Sequence, residues 1–326
     1  MREIFYRDAV REAIDEEMER DGRVMLLGED VGWLGGNFKT SVGLYEKYGD
    51  LRVKDTPISE AGFVGLGIGM AQTGLRPVVE LMFSDFLLVA ADQIFNQAAK
   101  ITYMSGGQVS VPLVIRTPIG GGRSSAAQHS QSMQAMAAHF PGLKVVVPST
   151  AQEVKGLLKT AIRDNNPVVF FEHKMEYGKK YMIDDVVEPI PFGKANIVRE
   201  GKDITIVATS SQVMKSLEAA QKLEQDGISA EVVDLRTIVP FDRDTVIESV
   251  RKTGRLLVVD EAYERCGIGA EIGADLMDDI FYYLDAPIGR IGTPNVPLPF
   301  SPALEFPIIP TVEKICDKVK KLTGQR

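Results

Sequence analysis

The chain has 326 residues, 44% hydrophobic and 25% charged, with 37 basic against 45 acidic side chains and a net charge of −8. That length suits about two domains, the composition is that of a globular protein, and an acidic balance without a basic stripe argues against nucleic acid as the main partner. Apolar runs such as 86–91 are too short to span a membrane, and the opening MREIFYRDAV lacks the apolar stretch of a signal peptide. A cytoplasmic-type protein is expected. Cys266 and Cys316 have no CxxC spacing and read as reduced thiols.

In chain order, Val10, Ile14 and Met18 lie at helical spacing across 6–20, with Asp8 placed to cap. An apolar strand at 24–27 leads into GEDVGWLGGN. Its glycines 28, 32, 35 and 36 demand a loop but not in the order of a P-loop. A plain surface loop and a ligand loop at a strand's carboxyl end both fit. Then comes TPISEAGFVGLGIG, with Glu60 set between Ile58 and the glycines Gly62, Gly65, Gly67 and Gly69. A helical glycine costs about 1 kcal/mol against alanine, so close approach by a neighbouring backbone or a flat ligand is expected. Glu60 reads either as an acid opening a tightly packed helix or as an acid kept for buried proton chemistry.

The pattern goes on with a strand at 76–81, one long helix at 86–103 carrying Phe86, Val89, Ile94 and Ala98 on its apolar side, and a strand at 113–116. The loop PIGGGRSSAAQHSQ follows, then a strand at 144–147. Thr150 and Glu153 form a capping box for a helix to about 164, and a strand at 168–172 comes next. The polar stretch 177–185 with Pro189 and Pro191 reads as a linker. Beyond it strands at 204–208, 230–234, 256–259 and 288–291 alternate with helices, the last from Thr311 with Val312, Ile315, Val319 and Leu322 aligned. Strands alternating with helices predict α/β architecture and mainly parallel sheet. The expected domains are 1–176 and 193–326, joined by 177–192.

No GxGxxG dinucleotide fingerprint, GxSxG elbow or zinc-ligand spacing is present. What remains is Glu60, His129 in AAQHSQ, and Phe86 at a helix start. His129 reads equally as a solvated loop histidine, and Phe86 as a core residue.

The segments LLGEDVG, DTPISEAGFVGLGIGMAQTGLRPVVELMF, DFLLVAADQIFNQAAK, AAQHSQ, PGLKVVVPST, KGLLKTAIRDNNPVVFFEHK, SAEVVDLRTIVPFD and KTGRLLVVDEA carry a resemblance over essentially the whole chain. It resembles the β subunit of the thiamine-diphosphate-dependent decarboxylating component of 2-oxo acid dehydrogenase complexes, of the pyruvate and acetoin types. The resemblance implies a transketolase-like pyrimidine-binding domain followed by a smaller α/β transketolase C-terminal domain. It implies that Glu60 hydrogen-bonds the ring nitrogen of the cofactor's aminopyrimidine, that Ile58 and Phe86 line that ring, and that His129 is the active-site histidine. It also implies a structural potassium ion held mostly by backbone oxygens of Leu113, Ala161, Ile162, Asp164 and Asn166.

Thiamine enzymes anchor the diphosphate through magnesium held by a GDG segment and a downstream asparagine, and GDG is missing here. The resemblance thus implies that thiamine diphosphate is shared with an α subunit in an α2β2 heterotetramer that docks on a dihydrolipoyl acyltransferase core. The short loop after GED leans to pyruvate, while ELMFSDF, FNQAAK and FSPALEFPIIP are similar to acetoin-type members. A branched-chain 2-oxo acid enzyme, a non-catalytic assembly subunit and a stand-alone transketolase-like enzyme are the alternatives, the last opposed by length and the missing metal motif.

Overall fold

The computed structural model describes residues 1–324; the last two residues of the expected second domain, 325–326, lie outside the described residues. The chain forms two compact units. The first comprises 1–119 with 136–192, and the second comprises 120–135 with 193–324.

The first unit is built on a parallel sheet. Its strands run in spatial order Lys144–Val146, Val168–His173, Val114–Ile119, Arg76–Glu80, Val24–Gly28 and Val53–Asp55. The middle strands are buried along their whole length, as expected of parallel strands covered on both faces. Helices Tyr6–Arg20 and Ala151–Arg163 pack together, and Val10, Ile14, Met18, Leu157 and Leu158 join one apolar core with Val24, Val78 and Phe170. Thr150 caps the second of these helices by accepting from Glu153 N, as the sequence predicts. Asp8 does not cap the first. The strand Arg2–Phe5 runs directly into that helix, Phe5 takes the cap position, and Asp8 lies in the first turn.

The span 86–103 is not one helix. It divides into a 3₁₀ turn at Ser84–Leu88, a π-helix at Asp92–Ala98 and an α-helix at Ala99–Met104. The tight turn, with Val89 N bonded to Phe86 O at 3.0 Å, shifts the phase of the segment. The buried positions become Leu87, Ala90, Ile94, Phe95 and Ala98, while Val89 is exposed.

The stretch 177–192 is not a free linker. Lys180–Ile183 is a strand paired antiparallel with Arg2–Phe5, Arg2 opposite Ile183. Beyond it, Lys159 Nζ donates to Val187 O and Thr160 Oγ1 to Ile190 O, both at 2.7 Å. Backbone pairing and capture by side chains from a helix leave no hydrophobic period to read, so a polar sequence here folds with the first unit.

In the second unit the sheet order is Gly289–Thr293, Leu256–Tyr263, Ile204–Ala208, Ala230–Asp234 and Asn196–Arg199. The last pairing is antiparallel and the others are parallel. Helices Gln212–Gln225 and Val312–Thr323 bury Val213, Leu223, Ile315 and Val319 against it. Among the described residues no helix is long and apolar enough to cross a membrane.

The glycines of helix Glu60–Gln72 separate by face. A Cβ on Gly67 would stand 2.8 Å from Val79 Cγ2, whereas one on Gly69 would meet open space. Gly67→Ala should therefore cost the first unit about 1–3 kcal/mol through overpacking. Gly69→Ala should stabilise the isolated chain by about 1 kcal/mol through helix propensity. Urea unfolding followed by circular dichroism checks both; equal shifts would mean that both glycines face the same surroundings.

Candidate functional site

At the carboxyl end of the first unit's sheet lies a buried charge cluster. The register places Arg116 beside Glu80, with Glu172 two positions further along the next strand. Arg116 donates to Glu172 through Nε at 2.8 Å and Nη2 at 2.7 Å, and to Glu80 Oε2 through Nη1. Tyr177 Oη donates to Glu172 at 2.8 Å and Thr40 Oγ1 to Glu80 at 3.1 Å. Burial opposes the charge on Arg116, but Glu172 and Glu80 outweigh it and hold the guanidinium protonated. Burial pushes the Glu80 carboxyl up, and Arg116 pulls against that.

Above this cluster the strand Val24–Gly28 ends. A Cβ on Gly28 would lie 2.6 Å from Glu80 O, so this strand end approaches its neighbour as closely as glycine permits. Glu29 follows at once, and Thr56 N bonds Gly28 O at 3.0 Å, which ties the segment leading to Glu60 to the same edge. Glu60 is the first residue of its helix, where the helix dipole favours an acid. Glu29 and Glu60 are each 6% exposed. Burial pushes the Glu29 carboxyl above its usual range, and the nearby charge of Glu60 adds to that. Glu29 Oε1 is buried without a hydrogen-bond partner among the described residues. Two buried acids with an unpaired oxygen are suited to hold a ligand that brings its own N–H donors.

Phe86 is half-buried and meets Phe83 edge-on, ring centroids 6.0 Å apart. Phe83 leads through Phe38 to Tyr177, so the aromatic position rests on the residue that also bonds Glu172. Ile58 is 81% exposed. It precedes the helix that begins at Glu60 and faces outward. The close approach expected of the helical glycines is seen within this chain at Gly67. Gly67 is in contact with the sheet, while Gly62 and Gly69 are exposed.

His129 is half-buried and belongs to the second unit, through the segment 120–135. The positions linked to potassium lie in one corner of the first unit. Arg76 Nε donates to Ile162 O at 2.7 Å, and Nη2 donates to Asp164 O. Ala161 O accepts from Asp164 N at 3.3 Å, Leu113 O accepts from Val168 N at 2.9 Å, and Asn166 N bonds the Asp164 carboxylate at 2.8 Å. The Arg76 guanidinium thus draws two of these carbonyl oxygens, those of Ile162 and Asp164, together. Among the described residues no three His, Cys, Asp or Glu side chains gather as metal ligands.

Sequence reasoning missed Glu29 as a site residue. It stood inside LLGEDVG, and the signal was an acid directly after a strand that ends in glycine.

Comparison with known proteins gives the context for this geometry. Residues 2–180 match the family "Transketolase, pyrimidine binding domain" and residues 193–315 match "Transketolase, C-terminal domain". The chain is 49% identical over 320 residues to the pyruvate dehydrogenase E1 component subunit beta of Rickettsia felis, covering 98% of each. It is 50% identical over 324 residues to the acetoin:2,6-dichlorophenolindophenol oxidoreductase subunit beta of Cupriavidus necator, covering 96% of this chain and 95% of that one. A solved structure titled as a split-gene transketolase, an inactive β4 tetramer, superposes with a TM-score of 0.80 at 26% identity, covering 98% of both chains.

The raised Glu29 carboxyl has a consequence for stability. An acid whose folded pKa lies above its unfolded value contributes stability that is present below the unfolded pKa and lost as pH rises through the folded one. Glu29→Gln should therefore flatten the decline in melting temperature as pH rises past the ordinary carboxylate range. An unchanged slope in a pH series of thermal melts would show that Glu29 ionises freely.

Proposed function

We propose a function on one premise: the chain belongs to the transketolase family, as a β subunit of the pyruvate and acetoin dehydrogenase type. It is a subunit of a thiamine-dependent oxidoreductase. The substrate read here is pyruvate, decarboxylated with transfer of the acetyl group to a lipoyl group of a dihydrolipoyl acyltransferase. Acetoin is the second reading, favoured by the 50% identity to the Cupriavidus necator subunit.

The observation that carries the reading is the buried pair Glu29 and Glu60, with Glu29 Oε1 unpartnered among the described residues. Thiamine diphosphate, when bound, supplies a carbon nucleophile and an electron sink for cleaving the bond beside a carbonyl. Glu60 would hold a proton at the pyrimidine ring nitrogen, and its place at a helix start fixes its direction. Glu29 would stand beside it as a second buried acid, its own carboxyl pushed up by burial and by the charge of Glu60. Phe86 and Ile58 would flank the ring, and the exposure of Ile58 fits a residue that a ligand or a partner covers. His129 would handle protons or orient the group on its way to the lipoyl acceptor.

The diphosphate and its magnesium fall to an α subunit, since this chain carries no GDG segment. The helix Glu60–Gln72 supports such a partner. It is apolar on nearly all sides, yet Gly62, Leu66 and Gly69 are exposed on one face. A helix of that kind is normally covered, and small residues let another backbone come close. An α2β2 assembly would supply the cover.

A monovalent cation is part of the same reading. Each backbone carbonyl has two lone pairs, so Ile162 and Asp164 would share their oxygens between Arg76 and potassium, with Leu113, Ala161 and Asn166 completing the set.

Co-expressed with an α chain, the protein should reduce dye faster with pyruvate than with acetoin or branched 2-oxo acids, and the chain alone should be inactive. Glu60→Gln should lower turnover by a factor on the order of a hundred or more, the range for losing a positioned acid, with the melting temperature kept. Full activity of either the chain alone or Glu60→Gln would remove the reading. Exchange of sodium for potassium should raise the melting temperature; identical melts in the two salts would discard the cation site.

A further inference from the structure

Residues Gly120–Ala135 depart from the first unit and fold with the second. Buried carboxylates hold them there. Gly121 N donates to Glu261 Oε1 at 2.7 Å, Gly122 N to Glu305 Oε1 at 2.7 Å, and Ser124 N to Glu305 Oε2 at 2.9 Å. At the other end of the segment, Gln134 Nε2 donates to Asp260 Oδ1 at 2.9 Å. Glu305 is 0% exposed, Glu261 5% and Asp260 6%. Two of these anchors are themselves held, Glu261 by Gln212 Nε2 at 2.8 Å and Asp260 by Thr209 Oγ1 at 2.6 Å.

Through the anchored amides and on towards His129 the backbone is unusual. Gly120 and Gly122 have φ of 94° and 88°, and Ser124 and Ala126, which are not glycines, have φ of 54° and 60°. Side-chain-bearing residues stay in that region only where their surroundings over-determine them. Amides in such alternating conformations form a concavity that binds an anion. Here the chain supplies its own anion: both oxygens of Glu305 close the concavity with charge-assisted bonds.

We infer that Glu305 and Glu261 are positioning residues for His129. They fix the backbone from which the histidine is presented, so the strand Leu256–Tyr263 and the short helix Pro302–Glu305 set the geometry of a group in the glycine-rich loop. The inference rests on the reading of His129 as a site residue; the anchoring itself does not.

Glu305→Gln tests it, because the amide has the same shape but one acceptor oxygen where two N–H groups require two. Amide hydrogen exchange on the full chain should speed up at Gly122 and Ser124 by about tenfold or more, the effect expected for losing a charge-assisted bond. Exchange along Leu256–Tyr263 should stay at the wild-type rate. Glu313→Gln, at an exposed position on the last helix, should change neither. With the α partner, turnover of Glu305→Gln should fall on the order of tenfold to a hundredfold, as for a slightly misplaced group. In the double variant with His129→Ala it should fall no further than in His129→Ala alone. Wild-type exchange at Gly122 and Ser124 in Glu305→Gln overturns the anchoring, and additive losses in the double variant overturn the positioning role. Wild-type turnover of His129→Ala, with faster exchange in Glu305→Gln, removes the reading of the histidine and leaves the anchor standing.

Discussion

The first unit depends on one buried cation. Arg116 stands at the carboxyl end of the central strands with Glu80 on one side and Glu172 on the other, and all three are excluded from water. Burying an ion is expensive, and such a cluster is tolerated only when each member is paired and further hydrogen-bonded. The remaining bonds come from Thr40 and Tyr177, which belong to the loop after the first sheet strand and to the segment after the last. Satisfying one guanidinium therefore fixes the relative positions of strand ends and loops that the sheet ladder alone leaves free. The cluster contributes specificity of arrangement rather than net stability, since apolar residues of equal volume would cost less to bury.

That arrangement places Glu29 and Glu60. The strand ending at Gly28 approaches Glu80 too closely for any side chain, and the acid that follows is turned to the edge where the helix of Glu60 begins. Burying two acids side by side is poor for stability, and it pushes the Glu29 carboxyl towards its protonated form. The aromatic string from Tyr177 through Phe38 and Phe83 to Phe86 connects the same charged base to the start of the segment after the strand Arg76–Glu80. The helix of Glu60 then divides its glycines: Gly67 serves the sheet, and Gly62 and Gly69 are left exposed.

The second unit applies the same principle with the signs reversed. There the buried groups are carboxylates, and what they pair with is backbone. Glu261 and Glu305 take the amides of Gly121, Gly122 and Ser124, so a segment inserted from the middle of the first unit is held by residues far along the chain. Glycine-rich loops are read as freedom; this one is held at both ends.

By itself the sequence determined the α/β class, the two halves, most strands and the capped helix after Thr150, because burial on both faces of a parallel sheet writes continuous apolar runs and helices write a period. Its motif order was enough for the family, and it singled out Glu60 from the density of glycines beside one acid. Tertiary structure decided the rest. The phase break near Val89 arises from a tight turn, and Lys180–Ile183 is held by backbone pairing with Arg2–Phe5 and the residues beyond it by side chains of Lys159 and Thr160, none of which leaves a period in the residues. Glu29 came beside Glu60, and Ile58 turned outward, because strand register and close backbone approach set those positions. The anchoring of the His129 loop by Glu261 and Glu305 joins residues more than a hundred positions apart, and no local pattern records a contact of that range.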